Sequence, residues 1–136
     1  GQEAGRPVKA TGILVNNCAR AVALAAALLS LLAVIFAAMG SHLFAMNGLE
    51  SIWQTALNIH LFNAAASLGL AALLANRNTR MLRWAAWMVI LGTVVFSGNI
   101  YMHVISGYTL PRVTPAGGML MMAGWLLSVI ALLRKT

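Results

Sequence analysis

Acid is nearly missing from this chain. Of its 136 residues only two are Asp or Glu, against nine Lys and Arg. Glu3 lies in the N-terminal tail and Glu50 between two apolar runs, so no carboxylate falls inside any long apolar run. Proton-coupled pumps and cation pathways ordinarily rest on such a carboxylate, so both are disfavoured. Cysteine is equally scarce. The single Cys18 excludes an internal disulfide and any cysteine-built metal cluster, and is expected to be an inert thiol or a lipidation site. Charged residues make up 8% of the chain, too few to clothe a soluble protein of this length. No serine has a visible base and carboxylate orienter, which argues against a hydrolase, and the chain lacks the paired repeats of most secondary transporters.

What is abundant is apolar sequence, at 61% of residues. Four charge-free runs stand out: Ala21–Leu49, Ser51–Asn76, Trp84–Pro111 and Val113–Leu133. Each exceeds the roughly 20 residues that cross a bilayer as a helix, and continuous rather than alternating apolarity selects helices over a barrel. The sequence therefore predicts an all-α integral membrane protein, a four-helix antiparallel transmembrane bundle with spans at about 21–46, 52–76, 84–108 and 114–133. Residues 1–20 read as a mobile tail and 134–136 as a basic end. The first run is longer than a signal-peptide core and is expected to be retained.

The basic residues set orientation. Arg6, Lys9, Arg20, Arg77, Arg80, Arg83, Arg134 and Lys135 flank one side of the predicted spans, and only Arg112 the other. Positive residues stay cytoplasmic, so both termini are expected inside. The net charge of +7 is scattered over the ends of apolar runs, which is membrane topology and not a nucleic-acid footprint. The expected partners are the lipid bilayer and other membrane-protein subunits; no cofactor is expected.

Helices in lipid associate through small residues and hydrogen bonds. Gly40, Gly69, Gly98, Gly117, Gly118 and Gly124 are the candidate packing positions, and Thr114-Pro115 reads as the start of the fourth span, with Thr114 as its N-cap. Polar side chains collect in one layer: His42, Gln54, Asn58, His60, Asn63, Ser97, Asn99, Tyr101, His103 and Thr114. At about 100° per residue, His60, Asn63 and Ser67 share a face. Thr93, Ser97 and Tyr101 share another, opposite Asn99, His103 and Ser106. Three readings stand for this layer. The leading one is interhelical packing; the others are a small-ligand pocket and a metal or haem site on His42, His60 and His103. The histidine separations match no metal-ligand spacing motif, so no metal ligand is assigned.

Several stretches together resemble one family. They are "AAMGSH" (37–42), "WQTALNIHLFN" (53–63), "GTVVFSGNIY" (92–101), "TPAGG" (114–118) and "AGWLL" (123–127). In order and spacing they are similar to the small bacterial membrane proteins of the domain of unknown function 423 family, over about residues 25–133. The resemblance implies a four-helix protein of the bacterial inner membrane and supplies no reaction. Its motif positions here are Gly40, His42, Trp53, Gln54, Thr55, Phe62, Phe96, Ser97, Gly98, Tyr101, Thr114, Pro115, Gly117, Gly118, Gly124 and Trp125. Two positions depart from the family pattern: Asn63 replaces a histidine and Asn99 a serine. The function expected is a non-catalytic accessory or assembly subunit of a larger membrane complex; the alternative is a membrane protein that binds a metal, haem or small ligand.

Overall fold

The computed structural model describes residues 17–42 and 48–134. These form four helices: α1 (Asn17–His42), α2 (Glu50–Asn76), α3 (Arg80–Ser106) and α4 (Val113–Leu133). All four are long and apolar enough to cross a membrane. Hydrocarbon offers the backbone no hydrogen-bond partners, so long apolar runs close their own ladders as helices. Most of the expected tail lies outside the described residues, yet the chain is already helical from Asn17. α3 likewise starts a turn before its charge-free run. Thr79 caps it by accepting a hydrogen bond from the Leu82 amide at 3.2 Å, and Arg80 and Arg83 ride on the first turn.

The start of α4 corrects one expectation. Its N-cap is Arg112, at a left-handed φ of 69°, with no side-chain cap, and Thr114 is already inside the helix. Thr114 gives its oxygen to Asn99 instead. Pro115 still falls in the first turn, where its missing N–H leaves nothing unpaired.

Each helix packs on its neighbour in sequence, α1 also touches α3 lightly, and the backbones of α1 and α4 never meet. The closest approach is between α3 and α4. A methyl group on Gly117 would lie 2.6 Å from the Phe96 nitrogen, and one on Gly92 2.7 Å from the Met121 nitrogen. One on Gly124 would lie 2.9 Å from the Val89 nitrogen. These contacts are closed to any residue but glycine.

Two apolar clusters make the core. One, at the Arg77–Arg83 end, joins Val22, Leu29, Ala71, Leu74, Leu82 and Val89 among others; the other joins Trp53, Ala56, Ile100 and Tyr101. Between them along α2 and α3 runs a buried polar seam of His60, Asn63, Thr93 and Ser97.

Candidate functional site

The seam works mostly as a set of cross-links. The Ser97 hydroxyl donates to the Ala56 carbonyl at 2.8 Å, tying α3 to α2. Tyr101 Oη and His60 Nδ1 lie 2.8 Å apart and join the same helices. Thr93 returns its hydroxyl to its own helix, on the Val89 carbonyl at 2.7 Å. Tyr101 is held further by rings: it stacks on Phe36 of α1 at 4.2 Å between centroids and 16°, and tilts against Trp53 at 4.9 Å.

Asn63 reaches across to α4, whose backbone does not approach α2. Its amide nitrogen donates to Met121 Sδ at 2.9 Å, and its amide oxygen accepts from Trp125 Nε1 at 3.0 Å. The assignment of amide oxygen and nitrogen follows from that network, since only this orientation gives the indole N–H an acceptor. Asn99 is a second clamp. Its nitrogen donates to Thr114 Oγ1 at 2.7 Å and faces the Leu110 carbonyl at 3.2 Å and Thr109 Oγ1 at 3.3 Å. Its oxygen accepts from the Leu110 amide at 3.1 Å. Both positions that depart from the family pattern are thus amides with donor and acceptor engaged at once.

The remaining candidates sit elsewhere. Gln54 and Asn58 are exposed on α2 and bond each other at 2.9 Å, outside the seam. His103 is half-buried with no partner for its Nδ1. It lies two residues past Tyr101, about 200° around the helix, so it and His60 do not converge. His42 ends α1, and its side chain lies outside the described residues. Among the described residues there is no group of three or more His, Cys, Asp or Glu able to hold a metal ion. Of the glycines, Gly117 and Gly124 meet α3 closely, and Gly118 faces the Phe96 ring at an ordinary 3.7 Å. Gly69 and Gly98 have nothing within 4 Å of where a Cβ would stand, and Gly40 lines a cleft beside Glu50 and Gln54.

Five participants are not among the sequence candidates for the site: Gly92, Phe36, Thr93, Met121 and Trp125. Gly92, Thr93 and Trp125 do lie within the quoted motifs, and Thr93 shares the helix face of Ser97 and Tyr101 in the sequence reading. Met121 carries no sequence signal that separates an acceptor from a space-filler.

A further feature is a cleft of about 300 Å³ between α1 and α3, lined by residues that include Phe36, His60, Ser97, Gly98 and Tyr101.

Four spans, a dry glycine-lined contact and a cross-linked polar seam define a small polytopic integral membrane protein. Residues 36–118 match the family described as "Protein of unknown function (DUF423)". The chain belongs to that family. It is similar to the UPF0382 inner membrane protein YgdD of Escherichia coli (strain K12), at 35% identity over 113 residues, covering 80% of this chain and 86% of that one. It is also similar to the UPF0382 membrane protein SERP0230 of Staphylococcus epidermidis, at 32% identity over 106 residues, covering 71% and 86% respectively. The UPF0382 membrane protein SH2409 of Staphylococcus haemolyticus is 29% identical over 102 residues, covering 68% and 83%. No solved structure matches the chain.

Proposed function

We propose that this protein is a non-catalytic subunit of a bacterial inner membrane that joins or assembles a larger membrane complex. Its four spans run antiparallel, with both termini in the cytoplasm. The observation that carries the reading is how the polar groups are spent. Ser97 and Asn63 of the seam, and Asn99 at the α3–α4 connection, are consumed in bonds that hold this chain together, and no nucleophile stands beside a base with an orienter behind it among the described residues. The polar pair left on the outside, Gln54 and Asn58, sits on a spanning helix, with Asn58 five residues from its midpoint, where acyl chains offer an amide nothing. A partner helix would satisfy both amides and fits that face better than acyl chains do. The inner-membrane location follows the name of the Escherichia coli relative, and the orientation follows the eight-to-one bias in basic residues.

Native mass spectrometry after gentle extraction from the protein's own membrane tests the role. The expected result is a reproducible larger assembly that the double change Gln54→Leu with Asn58→Leu releases. A chain that always travels alone rules the role out. Orientation is tested separately in a Cys18→Ser background. A cysteine at Tyr108 should react with a membrane-impermeant thiol reagent in spheroplasts, and one at Asn78 should not; the reverse pattern inverts the topology.

A further inference from the structure

We propose that the cleft between α1 and α3 binds a neutral lipid whose head is a carbonyl-bearing ring, the chemistry of a prenylated quinone, with His60 Nε2–H as the donor to that carbonyl. This is independent of the subunit role.

The first observation is a buried donor without a partner. His60 is 3% exposed, lines the cleft, and its Nε2 has no hydrogen-bond partner among the described residues. The Leu29 carbonyl of α1 is a weak backbone acceptor to the ring, short of a full hydrogen bond. The tautomer follows from the neighbour. Among the described residues His60 Nδ1, 2.8 Å away, is the one hydrogen-bond partner of Tyr101 Oη; the tautomer that lets the phenol donate has Nδ1 accepting and Nε2 carrying the hydrogen, and is the one assigned. A buried donor left in hydrocarbon is costly, so the ring is set up for an acceptor supplied from outside the chain.

The rest of the cleft limits what that ligand is. Thr93 and Ser97 also line it, but both hydroxyls already donate to backbone carbonyls. Among the described residues no charged side chain lines it, so neither an anion nor a cation is compensated there. Leu32, Phe36, Val94 and Ile105 make its apolar wall. A ligand that suits one donor and apolar walls has a carbonyl head and a hydrocarbon body.

Depth separates the two membrane sources of a carbonyl. His60 is ten residues into the 27-residue α2. At about 1.5 Å per residue it lies within about 5 Å of the helix midpoint. Phospholipid esters sit at the edge of a hydrocarbon layer about 30 Å thick, some 10 Å away from such a position. A neutral ring lipid dissolved in the bilayer interior reaches that depth. The light contact between α1 and α3 lets the wall part to admit it.

Gly98 provides the test. It lines the cleft, and a Cβ there would meet nothing within 4 Å, so a side chain can begin there without a clash and Gly98→Leu is chosen to fill the cleft. Protein in nanodiscs of ether-linked phosphatidylglycerol is titrated with decyl-benzoquinone, and with decylbenzene as the tail-only control. The readout is the ¹⁵N–¹H signal of His60 Nε2 together with saturable binding. The expected result is a saturable shift with the quinone alone, and at least tenfold weaker binding in Gly98→Leu at unchanged helicity and melting. His60→Phe should weaken quinone binding to the level of the tail-only control. Equal binding of decylbenzene overturns the donor role, and undiminished binding in Gly98→Leu overturns the location. A His60 signal that responds to replacing ether by ester lipid, and not to quinone, gives the cleft to phospholipid and overturns the proposal. If His60→Phe does not fold, the Gly98→Leu and control arms decide the matter.

Discussion

On the side of α4, helix α3 comes so near that a single methyl at Gly92, Gly117 or Gly124 would strike backbone. On the side of α1 it barely touches, and a cleft of about 300 Å³ lies between them. The same helix thus carries a dry contact built from absent side chains and a loose one built around polar and aromatic side chains. The first has no room for adjustment. The second has room and an unused donor. Rigidity and vacancy have been assigned to opposite faces of one element, so changes on the two faces should differ in kind.

The largest effect is expected from Gly117→Val. Its Cβ would lie 2.6 Å from the Phe96 nitrogen, and backbone cannot step aside as a side chain can. Overpacking of this sort costs about 1–3 kcal/mol, and the upper end applies. Unfolding of the detergent-solubilised protein in a denaturing-detergent titration would measure it; an unchanged midpoint would show that α3 and α4 are not in glycine-mediated contact. Second comes Asn63→Leu, which strands the Trp125 indole N–H and removes the Met121 contact. A lost interhelical bond in a membrane averages about 0.6 kcal/mol and reaches about 1.7, and the stranded donor places this change near the upper figure. The same titration reads it, and Asn63→His should recover part of the loss by returning one acceptor to Trp125. Smallest is Gly69→Ala. With open space around its Cβ, the change should leave stability unaltered or raise it by up to about 1 kcal/mol through helix propensity. Set beside Gly124→Ala, which meets Val89 and should destabilise, it makes one chemical change with two outcomes. Equal outcomes would erase the distinction between packed and open glycine faces.

The four helices were legible in the sequence because an apolar, charge-free run of about 20 residues matches the thickness of a bilayer and little else in a folded chain. Part of the buried seam was legible too: His60 and Asn63 fall on one face of α2, and Ser97 and Tyr101 on one face of α3, by arithmetic alone. Pairing was not. That Tyr101 answers His60, and that Asn63 reaches Trp125 across a gap between backbones, depends on rotation of helices about their axes, which no single helix's pattern contains. Gly92 is similar: with only Ala85 two turns before it on the same face it makes a weak small-residue stripe, and the facing Gly117 and Met121 give it meaning. Thr114 misled for the opposite reason. Its identity fits a cap, but the neighbouring Asn99 amide claims its oxygen and Arg112 takes the turn.

That the backbones of α1 and α4 never meet has a consequence for biogenesis. Every helix docks on partners that precede it in the chain, so each can find its place as it leaves the insertion machinery, with no earlier segment held waiting for a later one. Contacts local in sequence close with little loss of chain entropy. The four described helices are consequently arranged to assemble in the order in which they are translated, and seating α4 on its glycine seat locks their order in.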